Sequence, residues 1–192
     1  MTTIVEPTRR HLTPRQAEIV DRLLAAAADE ARSNGYEKTT VRTSARRAGV
    51  APATAYTYFA SKDHLLAEVL WRRLDRLGPV DPDKSVPERQ RVTRELCRLA
   101  TFMADDPDLA VACTTALLGS GADVRVLRDR FGARILSRIS EALGRATDQR
   151  VLSTLNLTLI GAMLTAGMGH LSFAVVPDAI AGAVDLVIGD PD

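Results

Sequence analysis

Between residues 40 and 62 the chain sets the hydroxyls of Thr40, Thr54, Tyr56, Thr57 and Tyr58 beside the guanidinium of Arg42 and the ammonium of Lys62. Phosphate oxygens accept from such donors, and arginine can in addition read a base edge. Tyrosine is scarce in this sequence, three residues in all, so two of them at 56 and 58 call for a reason. A rigid ring that keeps its hydroxyl in water suits a phosphate anchor; core packing with a satisfied hydroxyl is the competing account.

Catalysis explains the chain less well. No Ser-His-Asp grouping, carboxylate pair, metal cluster or glycine-rich phosphate loop has supporting spacing, so neither an enzyme nor a cofactor is expected. Cys97 and Cys113 stand in apolar surroundings without CxxC spacing or a nearby histidine, which argues against zinc and against a disulfide. His170 is too isolated for a metal ligand or general base. The opening MTTIVEPTRRHL has no apolar h-region, and a reducing, cytoplasmic setting is expected.

Charge is unevenly spread behind a net value of +1. Residues 1–62 carry ten Lys/Arg against six Asp/Glu, a surplus of four, and residues 63–192 carry fifteen against eighteen, a deficit of three. The basic third is thus the one that holds the donors, although an unevenly solvated surface would give the same bias. Residues 151–176 contain no charged side chain and are long enough to cross a bilayer. Ser153, Thr154, Asn156, Thr158, Thr165, His170 and Ser172 make them too polar for lipid, so a helix buried on all sides, in a core or at a subunit interface, is expected instead.

The elements that must position the donors read as helices throughout. Thr13-Pro14-Arg15-Gln16 is a capping box with proline at the first helical position, followed by Ala17, Val20, Leu23, Leu24, Ala27 and Ala31 up to an Asn34-Gly35 stop. Thr40 caps a short helix over 41–48 that Gly49 ends, Pro52 starts another to about 58, and Ser61 caps a fourth to about 77. GPVDPDKSVP at 78–87 is a loop, and further helices are expected at about 87–104, 107–118, 122–143, 149–170 and 177–188. On the helix over 122–143 an apolar stripe including Phe131 is core, and Arg125, Arg128, Arg134 and Arg138 read as a solvated face in preference to an anion site.

A helix, a tight turn and a second helix within residues 40–58 have the arrangement of a helix-turn-helix DNA reader. TTVRTSARRAGVAPATAYTYFASKDHLL resembles the N-terminal module of the TetR family of bacterial transcriptional repressors over roughly residues 14–75. The resemblance implies an all-α homodimer: a helix-turn-helix module in residues 1–62, then an antiparallel helical bundle in 63–192 for ligand binding and dimerisation through its last two helices. It places Arg42 and Thr54 at base edges, Ala53 and Thr57 close to the groove, and Thr40, Tyr56, Tyr58 and Lys62 on phosphates of a palindromic double-stranded operator, with Phe59 buried. Ala51 offers no cap where relatives often have serine, and Ser44 and Ala55 replace larger aliphatic residues, so a thinned module core is expected.

An inducer pocket is expected among the helices after Lys62, with Trp71, Phe102, Met103, Cys113, Leu117, Phe131, Asn156 and Met163 as lining. SKDHLL and the terminal DLVIGD resemble actinobacterial regulators of steroid and lipid breakdown, which implies a lipid, steroid or acyl-CoA effector. Gly161, Ala162, Ala166, Gly167 and Gly169 allow close helix approach at a dimer seam, core packing within one subunit being the competing account. A sequence-indifferent, nucleoid-type DNA binder is the alternative function; it would need more positive charge and no large apolar second domain.

Overall fold

The computed structural model describes residues 12–81, 83, 85–144 and 148–189; the first eleven residues and Asp190 of the DLVIGD motif fall outside that range. Among the described residues there are nine helices and no strand: α1 (Pro14–Lys38), α2 (Val41–Arg47), α3 (Pro52–Tyr58), α4 (Lys62–Asp75), α5 (Glu88–Thr101), α6 (Pro107–Leu117), α7 (Ala122–Leu143), α8 (Gln149–Gly167) and α9 (Val176–Ile188). The chain is all-α, as expected.

Local chemistry sets most helix ends. Thr13 and Gln16 form the reciprocal capping box that starts α1, and Thr40 and Thr43 form another at α2. Gly35, at φ +73°, breaks the helical path of α1 one residue after Asn34, so the expected stop is real although a last turn continues to Lys38. The Ser61 hydroxyl accepts from the His64 N–H at 3.0 Å and caps α4. Ala51 makes no side-chain cap for α3.

The described chain divides into two compact units. The first comprises the described part of residues 1–72 with 111–129. Here α1 packs on α2 and α2 on α3, around Val20, Leu23, Ala27, Ala31, Val41, Ala45, Ala55, Phe59, Leu65 and Leu66, all buried. The second comprises 73–110 with the described part of 130–192, where α9 packs on α5 and α8 over buried Leu96, Leu99, Ile139, Leu155, Leu159, Ile180 and Val184. These are units of packing, whereas the boundary read at residue 62 was one of function.

Two expectations need correction, and of the two settings offered for the neutral helix over 151–176 only the subunit interface stays open. α8 buries only one face within the chain: Leu152, Leu155, Leu159 and Ala166 are inside, while Leu157 is 68% exposed and Ile160 is exposed too. The helix is therefore not enclosed on all sides by its own chain; its neutral composition reflects two apolar faces, only one of them covered. The α7 arginines are not a uniformly solvated face either. Arg128 donates to the carbonyls of Leu117 at 2.9 Å and Gly119 at 3.2 Å, satisfying the open end of α6, and Arg138 is fully buried against Glu95. Finally, α4 ends at Asp75 and α8 at Gly167, a few residues before the apolar pattern does, the latter followed by Gly169 at φ +78°. No single described helix is long and apolar enough to cross a membrane.

Candidate nucleic-acid interface

α3 is a seven-residue helix with one buried side. Ala55 and, just past its end, Phe59 are fully buried, and truncating a buried phenylalanine to alanine typically costs about 3–5 kcal/mol. Phe59 thus pins the helix to the module. The opposite side carries Ala53, Tyr56 and Thr57 in solvent, Tyr56 at 54% exposure, with Thr54 and Tyr58 half-buried. The Thr57 hydroxyl donates back to the Thr54 carbonyl at 2.6 Å.

On α2, Arg42 is exposed, and so is Arg46 one turn later. The sequence reading passed over Arg46, yet its i, i+4 spacing from Arg42 was a legible signal. Arg47 lies elsewhere in function: its Nε donates to Glu30 Oε1 at 2.6 Å, clamping α2 to α1. Thr40 is exposed, but its hydroxyl accepts from the Thr43 N–H at 3.0 Å as the helix cap. Any phosphate contact from Thr40 has to share that oxygen.

Lys62 is more engaged than its sequence context indicates. Its Nζ donates to the Tyr36 carbonyl at 3.1 Å, sits 3.8 Å above the Tyr36 ring and lies 3.9 Å from Glu37 Oε2. An ammonium has three protons, so this bond leaves donors over. Tyr36 in turn donates from its hydroxyl to Asp63 Oδ1 at 2.6 Å. Burial first, then the Asp63 carboxylate, push the Tyr36 hydroxyl up to about 12. Tyr36 is the residue that ties the end of α1 to the start of α4, and no local pattern marks it, because its partners lie 26 and 27 positions away.

His64 is buried beside Phe59, ring centroids 5.4 Å apart and edge to face. Its Nδ1 accepts from the Ala60 N–H at 3.3 Å, which leaves the ring proton on Nε2. Desolvation lowers the ring's pKa, outweighing Asp123 and Glu68. The 3.9 Å approach of Asp123 Oδ2 to Nδ1 is accordingly a contact with a neutral ring and not an ion pair.

Of the residues expected to line a pocket, Trp71, Cys113 and Leu117 belong to the first unit and Phe102, Met103, Phe131, Asn156 and Met163 to the second. Trp71, Met103 and Cys113 are buried and the other five partly exposed. Within the second unit the Phe102 and Phe131 rings lie 6.4 Å apart, and Asn156 Oδ1 is buried without a hydrogen-bond partner.

Comparison with known proteins agrees with this geometry. Residues 23–69, from within α1 to within α4, match the model of the bacterial regulatory proteins of the tetR family. An "Uncharacterized HTH-type transcriptional regulator" of Mycobacterium tuberculosis is 44% identical over 176 residues, covering 91% of this chain and 82% of that protein. The HTH-type transcriptional repressor KstR of Rhodococcus jostii is 32% identical over 186 residues, covering 92% of this chain and 84% of its own. The crystal structure of a TetR transcriptional regulator from Rhodococcus sp. RHA1 superposes with a TM-score of 0.76 at 24% identity, over 94% of this chain and 100% of that one. Helix-turn-helix geometry, family match and full-length relatives converge: the chain belongs to the TetR family of bacterial regulatory proteins and is a helix-turn-helix transcriptional regulator.

Proposed function

We propose that the protein is a ligand-responsive, sequence-specific repressor: a homodimer that lays α3 of each subunit in the major groove of a roughly palindromic operator and lets go when a small apolar or lipid-like effector binds. Residues 1–62 act on DNA, and residues 63–192 bind effector and partner subunit. The observation that carries the reading is the two-sided α3, with Ala55 and Phe59 buried behind it and Tyr56, Thr57 and Ala53 exposed in front, beside exposed Arg42 on α2. In this arrangement Arg42 and Thr54 reach base edges, Ala53 and Thr57 lie close to the groove, and Thr40, Tyr56, Tyr58 and Lys62 hold phosphates. Dimerisation through α8 and α9 would bury Leu157, Ile160 and Leu186, all exposed in the chain. Two-fold symmetry then sets recognition helices about 34–36 Å apart.

The test is binding to the DNA upstream of the protein's own gene, with competitor DNA and a salt series. Arg42→Ala is expected to weaken binding and relax base preference, and Lys62→Ala to weaken binding to all sequences and shrink the salt slope by about one unit. Equal affinity for every sequence would instead favour the nucleoid-type alternative. Wild-type behaviour of both variants would overturn the assignment of the reading surface.

A further inference from the structure

We propose that Arg134 and Arg138 of α7 form an anion subsite that takes the head group of an amphiphilic effector, a molecule with an anionic group on an apolar body. This rests on the ligand response proposed above and names the chemistry of the ligand. Arg138 is fully buried, its Nε donating to Glu95 Oε1 at 2.5 Å and its Nη1 to the Gly78 carbonyl at 2.6 Å. Its Nη2 is also buried and has no acceptor. Glu95 is shared, because Arg98 Nη1 holds its other oxygen at 3.0 Å. Two guanidiniums therefore meet one carboxylate, Arg138 from inside the fold and Arg98 from its partly exposed edge.

One helical turn before Arg138, Arg134 has a buried Nε that also lacks an acceptor, while the side chain as a whole keeps partial exposure. Positions i and i+4 share a helix face, so both unmet donors belong to one stripe of α7. Buried donors of a permanent cation are costly to leave unmet, and an anionic head group supplies the acceptors they lack. Phe131 is three residues before Arg134 on that stripe, with Phe102 6.4 Å from it and both rings partly exposed. An apolar body laid along these rings would bring its charged end to the arginines.

The experiment titrates the purified full-length protein, without DNA, with decanoate, decan-1-ol and decanoyl-CoA in a calorimeter. Decanoate, decanoyl-CoA or both are expected to bind at least about tenfold more tightly than the alcohol. Arg134→Gln and Arg138→Lys should each cut anion affinity about tenfold while leaving decanol unchanged. Arg138→Lys keeps a charge beside Glu95; should it melt early, Arg134→Gln, at the partly exposed end, carries the test. Preference for decanoate identifies a carboxylate head, and preference for decanoyl-CoA with the same arginine dependence a phosphate-bearing one; either supports the subsite. Equal binding of acid, thioester and alcohol, binding of neither anion, or unchanged anion affinity in Arg134→Gln would overturn it. Operator release is read separately: arginine-dependent binding without release keeps the subsite and sinks the effector reading, and release by decanol alone does the reverse.

Discussion

Ser44 is fully buried in α2, and its hydroxyl has no hydrogen-bond partner. Burying an unmet hydroxyl costs about 1–3 kcal/mol, and serine is also a weaker helix former than alanine. Ser44→Ala should therefore stabilise the protein by about 1 kcal/mol, read as a higher urea midpoint at constant m-value; a lower midpoint would mean that the hydroxyl has a partner in solution. Tyr36 gives a second prediction of the same grain. Because its folded-state pKa is raised to about 12, its bond to Asp63 contributes stability that is intact below pH 10 and lost as pH rises through the raised value. Alkaline melting curves of wild type and Tyr36→Phe should converge between pH 10 and 12; a constant gap across that window would refute the linkage. The sequence made Tyr56, Arg42 and Phe59 legible because each belongs to a short pattern on one helix. It could not show Tyr36 or the Glu95–Arg138 pair, whose members meet only through tertiary packing across 27 and 43 positions.

At the scale of elements, the start of α4 concentrates the constraints. Ser61 caps it, Asp63 holds Tyr36, and Gly119, after α6, comes so close that an added Cβ would lie 2.8 Å from Asp63 Oδ2 and 3.0 Å from the Ala116 carbonyl. His64 is the titratable member of this joint. Its pKa is depressed in the fold, so its unfolded state takes up a proton first as pH falls below the ordinary histidine value near 6.5. The stability it permits is present above that pH and lost on acidification. Thermal melting of the wild type should fall more steeply below pH 6.5 than that of His64→Asn, which keeps an acceptor for the Ala60 N–H without a titrating ring; parallel curves would show that His64 stays neutral in both states. Helix starts here were readable because caps are local: Thr13, Thr40 and Ser61 stand beside the N–H groups they accept from. The ends of α4 and α8 were less so. The carbonyls of Leu77, Gly78 and Pro79 after α4 are taken by Arg98 and Arg138 from other helices, so the loop there is held by partners that no local pattern announces.

For the whole molecule, the all-α class and the N-terminal module followed from periodicity, caps and the quoted motif, whereas the choice between core and subunit interface for α8 did not, since a run of neutral residues looks the same whether one side or two are covered by the chain. On the proposed reading, the exposed face of α8 forms the seam between the two subunits. Leu157 and Leu186, at 68% and 89% exposure, stand on α8 and α9, which pack together. Substituting an exposed residue changes the stability of a folded protomer by only about 0.5 kcal/mol, but a charge inside a desolvated interface has no partner there. Leu157→Glu combined with Leu186→Glu should then give a protein with wild-type helicity that sediments as a monomer and whose melting no longer depends on protein concentration. Each half-operator would be bound alone, and loss of the tether between the two readers should lower affinity for the full site by about 10²–10⁴, with a half-site affected little. A variant that remains dimeric would move the interface to another surface. One that is monomeric yet holds the full operator as tightly as before would mean that a single α3 supplies all the affinity, and the palindromic reading would go with it.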